Sequence, residues 1–201
     1  MDPTTVLFAV MDIGGTSGKP NMVEDILRKL HETDAIYTYG ISDTTKGIKL
    51  YKRGDPGGVL VTGRPAHTVL PPPFDQLPNI TSPAAHQVHH KFVVCGFNGP
   101  DPTVFCGSSN LAEGGEQHNG DNLLEIHDAD VASCFAIEAL GLIDHFDFLD
   151  STGVGKKRQP SASGSADAIK ASVFLDATDK WAMSYFDPSD LHFKDRQLFS
   201  R

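Results

Sequence analysis

The chain has 201 residues, 39% hydrophobic and 21% charged, enough for one packed domain with an appendage and ordinary for a globular protein. No apolar run reaches the length of a membrane span, and MDPTTVLFAVMDIGG at the start lacks a signal peptide's basic residues and cleavage site, so a cytoplasmic location is expected. The net charge of -9 repels polyanions at long range and disfavours bulk nucleic acid as a partner.

In chain order, residues 5–12 (TVLFAVMD) form an apolar run that predicts a strand buried on both faces. The following Gly14–Pro20 stretch, GGTSGKP, has the position of a phosphate-binding loop but fails its pattern: Ile13 stands at the first glycine and Pro20 where a magnesium-binding hydroxyl is needed. It reads as a turn. A helix follows, with Asn21 as N-cap, Glu24 three residues on, and Met22, Val23, Ile26, Leu27 and Leu30 along one stripe. AIYTYGIS, IKLYKR and GVLVT read as short strands. The proline-rich 64–85 stretch reads as a long surface loop.

The 89–122 stretch carries the chemistry. HHKFVVCGF predicts a strand on which His89 and Lys91 share one face while His90 and Phe92 take the other. After a Gly/Pro turn, TVFC predicts a second strand opening into Gly107-Ser108-Ser109-Asn110, where hydroxyls, an amide and an unobstructed backbone can surround an oxyanion. LLEIHD reads as a further strand, and VASCFAIEALGLIDHFDFL as a helix with Phe135, Ala139, Leu142, Phe146 and Leu149 on one side. Strands and helices thus alternate, which predicts an α/β fold, a mixed β-sheet flanked by helices, over 1–150. STGVGKKRQPSASGSADA, 151–168, reads as a flexible linker whose Lys156-Lys157-Arg158 supplies few phosphate contacts. The segment 169–201, with Trp181, Tyr185, Phe186 and Phe193, is too apolar to stay solvated and too short to fold alone, so it is expected to dock on the main domain. Cys95, Cys106 and Cys134, an odd set without framework spacing, read as buried thiols rather than a disulfide scaffold.

His89 and Lys91, then Gly107, Ser108 and Asn110, then Asn119-Gly120-Asp121-Asn122 resemble the phospholipase D superfamily, whose signature is a His-x-Lys followed after four residues by Asp, then Gly-Ser-x-Asn and an Asn-x-acid-Asn element. The resemblance extends loosely over roughly residues 5 to 150 as an order of strands and helices. The motif Asp is replaced by Gly96, and the nearest acid, Asp101, lies beyond a turn. The resemblance implies a phosphodiesterase that hydrolyses or transfers a phosphodiester through a phosphohistidine on His89, with Lys91, Ser108, Asn110 and Gly107 around the phosphate and Asp121 fixing the imidazole tautomer. It implies no metal and no organic cofactor. One motif copy is present where such sites use two, so the expected partner is a second half-site, from a homodimer or from a preceding half of a longer chain. Phospholipid, nucleic acid and small diesters are all open as substrates.

Two other readings bear on these residues. His86, His89 and His90 have ligand-like spacing for zinc but lack a CxxC or HExxH partner. A member of the superfamily that keeps the sheet but not the turnover, serving as an interaction module, is the main rival, motivated by Gly96 and the single motif. His118 and Asn119 read equally as loop surface, His145 as a helix-face residue, and His127 and His192 carry no motif context.

Overall fold

The computed structural model describes residues 5–13, 22–33, 35–44, 47–51, 58–61, 88–111, 119–152, 178–190, 193 and 196–197. The chain divides into two compact units, Met1–Gly63 with Ile80–Asp150, and Arg64–Asn79 with Ser151–Arg201.

The first unit holds β1 (Thr5–Val10), α1 (Met22–His31), β2 (Tyr37–Thr44), β3 (Gly47–Tyr51), β4 (Val59–Val61), β5 (Lys91–Cys95), β6 (Thr103–Gly107), β7 (Leu123–His127) and α2 (Ala129–Thr152). The strands form one sheet in the order β4-β3-β2-β1-β5-β6-β7. β1 and β2 run parallel and every other neighbouring pair antiparallel, so the sheet is mixed and the fold is α/β. All six residues of β1 are buried, as an apolar run in the middle of the sheet requires.

Alternation along the strands gives the sheet two different faces. Val6, Phe8 and Val10 of β1 and Val93 of β5 look to one face, where they form a buried cluster with Leu27 of α1, against which Val23 and Leu30 also pack. Of the predicted α1 stripe, Met22 and Ile26 face outward, 75% and 48% exposed, and buried His31 takes their place, its Nδ1 3.1 Å from the Thr38 hydroxyl of β2. A side chain at Gly40, the partner of Phe8 in register, would run into the Phe8 ring. The opposite face carries Phe92, whose ring meets Phe135 of α2 edge-on at 5.0 Å between centroids, and His90, whose Nε2 lies 3.1 Å from Glu138. Ala132, Ala136, Ala139, Ile143 and Phe146 are the buried stripe of α2, at four- and three-residue steps. Asp128 caps this helix, its carboxylate accepting the backbone N–H of Asp130 and Val131, both at 2.9 Å.

α2 runs to Thr152 and so includes the first two residues of the expected linker, whose remainder lies outside the described residues, as do the expected loops at 14–20 and 64–85, the expected N-cap Asn21, and His86, His118 and His192. Cys134, expected to be buried, is exposed on α2, and Cys95 and Cys106 are half-buried. His145 lies on the α2 surface, as expected, with its ring 5.3 Å from that of Phe146. No helix among the described residues is long and apolar enough to cross a membrane. In the second unit a 3-10 helix, Asp179–Phe186, leaves Trp181, Met183 and Phe186 largely exposed, and the Arg196 guanidinium lies over the rings of Phe186 and Phe193.

Candidate functional site

His89 stands just before β5 and Lys91 opens it. Two bonds set this entry point: the Val88 N–H donates to Asp43 Oδ2 at 3.2 Å, and the Met11 N–H donates to the His90 carbonyl at 2.8 Å. Residues 88–90 are thus tied to the ends of β2 and β1. The expected alternation holds around this point. The Lys91 ammonium lies 3.5 Å from His89 Nδ1, while His90 reaches the other face toward Glu138.

Lys91 donates to the carbonyl of His89 at 2.9 Å and approaches the Met11 sulfur at 3.8 Å. Partial burial lowers its pKa from the ordinary lysine value, and the negative charge of Asp121 acts in the opposite direction. That coupling brings the third motif electrostatically within reach of the first. The longer contact to Nδ1 has tautomeric weight. Where Lys91 donates to Nδ1, the ring proton sits on Nε2; a free Nε2 for attack on phosphorus needs an acceptor at Nδ1 instead.

Around β6 and β7 the second and third motifs lock together. The Ser108 hydroxyl donates to Asp121 at 3.1 Å and accepts the Asn122 N–H at 3.0 Å, while the Ser108 N–H donates to Asn122 Oδ1 at 3.0 Å. The Ser109 N–H donates to the Asn122 carbonyl at 3.3 Å, and buried Ser109 turns its hydroxyl to accept the Leu111 N–H at 3.0 Å. Gly107 makes this closeness possible: a Cβ there would strike the Asn122 carbonyl oxygen and lie 2.6 Å from its Oδ1. The Ser108 proton is engaged by Asp121, so an incoming phosphate oxygen competes with that carboxylate for it. Asn110 Oδ1 is buried and accepts no hydrogen bond among the described residues. A buried acceptor left without a partner costs about 1–3 kcal/mol.

The motifs converge because of strand order. β5 sits between β1 and β6, and the register Phe92↔Cys106 continues to set Lys91 beside Gly107, itself paired with Leu123 of β7. β1, β2 and β6 point the same way, so their carboxyl ends, with the start of β5 and of β7, form one edge of the sheet. In open α/β sheets this is the edge outside which ligands bind. His89, Lys91, Gly107, Ser108, Asn110 and Asp121 are therefore grouped there.

Gly96 and Asp101 lie elsewhere. Gly96 follows the far end of β5, roughly 16 Å from Lys91 at strand spacing, with φ +68° and its N–H bonded to the Thr5 carbonyl at 2.8 Å. Asp101 serves a different cluster, its carboxylate 3.1 Å from His127 Nδ1, whose Nε2 lies 3.1 Å from Glu125. These hydrogen bonds, Asp101 first and then Glu125, raise the pKa of His127.

Sequence reasoning passed over Asp43 and Met11, which hold the strand entry and the ammonium from 45 and 80 residues away in sequence. No local pattern marks them. It also passed over Asn122 as the residue that positions Ser108, although it stood inside the quoted NGDN element. Among the described residues no group of three or more His, Cys, Asp or Glu is arranged to hold a metal ion, and His89 and His90 point to opposite faces of the sheet. No family model, curated protein or solved structure matches the chain.

Proposed function

We propose that the chain is one half-site of a phospholipase D-like phosphodiesterase. The observation that carries this reading is the convergence of Lys91, electrostatically coupled to Asp121, with the interlocked Ser108–Asp121–Asn122 turn at one edge of the sheet. In the reaction, His89 attacks phosphorus in line, the P–O bond to the leaving group breaks, and the leaving oxygen takes a proton from a histidine of the second half-site. Water then cleaves the phosphohistidine by the reverse sequence, returning the proton. Lys91 and the Asn110 amide stabilise the non-bridging oxygens as charge grows on them. Asp121 has two partners to choose between, the Ser108 hydroxyl and the imidazole, and the attacking tautomer requires it, or an equivalent acceptor, at Nδ1. The second half-site comes from another copy of the chain or from a preceding half of a longer one.

Hydrolysis of a chromogenic bis-aryl phosphodiester by the full chain, measured with and without His89→Asn, tests the proposal. Activity that collapses in the variant while the fold survives supports it. A variant keeping more than about a tenth of the turnover removes His89 from the mechanism.

A second reading, a non-catalytic interaction module, draws on two observations. Lys91, not a carboxylate, is the group facing His89 Nδ1, and the position of the motif Asp is a glycine in a conformation that disfavours side chains. Absence of hydrolysis from a folded, dimeric chain would favour that reading.

A further inference from the structure

The hydrogen-bond donors at the candidate phosphate edge are unequally available. The Ser108 hydroxyl is committed to Asp121 and the Ser108 N–H to Asn122 Oδ1, so neither meets an incoming oxyanion without first giving up a bond. The Ser109 N–H is likewise engaged by the Asn122 carbonyl.

The side chain of Asn122 is differently placed. Its Oδ1 is the atom that meets the Ser108 N–H at 3.0 Å, since an amide nitrogen there would set donor against donor. That contact leaves both hydrogens of Nδ2 on the other branch of the carboxamide, without an acceptor among the described residues. Asn122 is exposed, so a ligand can approach it from solvent. Two opposed bonds, Ser108 N–H to Oδ1 and Asn122 N–H to Ser108 Oγ, hold the residue in place, and a fixed donor has less rotamer freedom to lose on binding.

Register decides which side of the sheet this amide occupies. Lys91 lies beside Gly107 across β5 and β6, and residues opposite one another in a ladder share a face, with Cβ atoms about 4.5–5.5 Å apart. The place a Gly107 side chain would take on that face is held by Asn122: a Cβ built there lies 2.6 Å from Asn122 Oδ1. The Asn122 carboxamide therefore stands beside the root of the Lys91 side chain, on the same face. Asp121, its neighbour in sequence, acts on the Lys91 charge, as that arrangement requires.

We propose that Asn122 is a phosphate-binding residue of this site, its Nδ2 donating to a non-bridging oxygen while Lys91 supplies the positive charge. The Ser108 hydroxyl then holds Asp121 and Asn122 in place instead of binding the phosphate itself. The proposal rests on reading this edge as a phosphate site, and it gives the donor role that the Gly-Ser-x-Asn order assigns to Ser108 to a residue of the following turn.

An NMR titration of the full chain with inorganic phosphate near neutral pH tests it, following the side-chain resonances of Asn122 and Lys91. One of the two Nδ2 protons of Asn122 should move downfield, the one facing the anion, with the same dissociation constant as the Lys91 shift. Asn122→Ala, its fold checked by circular dichroism, should weaken phosphate about tenfold, the loss of one charge-assisted hydrogen bond. A Lys91 shift with both Asn122 amide protons unmoved overturns the proposal and leaves the hydrolytic reading standing. Undiminished phosphate affinity in the folded variant does the same. If phosphate moves neither residue, this proposal and the phosphate-site reading fall together.

Discussion

Lys91 illustrates how one side chain acquires a role from its surroundings. Its ammonium is partly desolvated and held by the His89 carbonyl and the Met11 sulfur, with Asp121 near enough to favour the charged form. Because its pKa is depressed, the cation is lost at a lower pH than the ordinary lysine value of about 10.4. Removing Asp121 takes away the opposing influence, so Asp121→Asn should move that loss to still lower pH. NMR titration of the Lys91 side chain measures both shifts, and an upward shift in the variant contradicts the coupling. For phosphodiester turnover, Lys91→Ala should lower kcat about 10²–10³-fold, the scale of losing one donor to a developing oxyanion. His127 shows the opposite sign. Asp101 and Glu125 raise its pKa, so the bonded, charged form holds the turn before β6 to β7 below the ordinary histidine value of about 6.5 and that stabilisation disappears as pH rises through the elevated value. Asp101→Asn should bring the His127 titration down toward the ordinary value.

At the scale of elements, the two ends of β5 behave differently. The Lys91 end belongs to the candidate site and the Gly96 end to a turn, so an acidic residue placed at Gly96 brings no carboxylate to His89. Gly96→Asp should cost about 1–3 kcal/mol of stability from its left-handed backbone and leave turnover unimproved; increased hydrolysis would show that this acid acts after all. Gly107→Ala should cost both stability and turnover. The added methyl meets the Asn122 carbonyl, and the Ser108–Asn122 turn must open to admit it. A loss of about 1–3 kcal/mol from the forced backbone shift, read by urea unfolding, should accompany loss of activity. The helix stripes were only partly legible in the sequence. Period alone placed Val23, Leu27 and Leu30 correctly, but Met22 and Ile26 turn to solvent because the helix is rotated to bury His31 against Thr38. A buried polar pair has no signature in a hydrophobic pattern.

For the whole molecule, the candidate site is half of what the proposed chemistry needs, since among the described residues one attacking histidine is placed and no acid faces it. If two copies complete it, they pair about a twofold axis with each His89 toward the other, and activity should vanish at concentrations where the dimer dissociates. Analytical ultracentrifugation alongside a dilution series of activity checks this; a fully active monomer contradicts it. The proposed covalent mechanism needs no metal-activated water, so chelation should leave the rate unchanged, and zinc-restored activity would favour the zinc reading of His86, His89 and His90 instead.

Much of this architecture was already implicit in the order of residues. Six buried positions in β1 follow from an unbroken apolar run, and the face shared by His89 and Lys91 follows from the two-residue period of a strand, a local property of the backbone. The grouping of HxK, GSxN and NGDN residues also had a sequence signal, because each motif ends or begins a short strand and a turn returns the chain. What only the tertiary structure decided is what holds these groups and how they are charged. Asp43 tying down Val88, Met11 beside Lys91, and the Ser108 hydroxyl directed to Asp121 all depend on strand order and the turns between strands. Those bring together residues tens of positions apart, and no local pattern encodes contacts whose partners are chosen by packing.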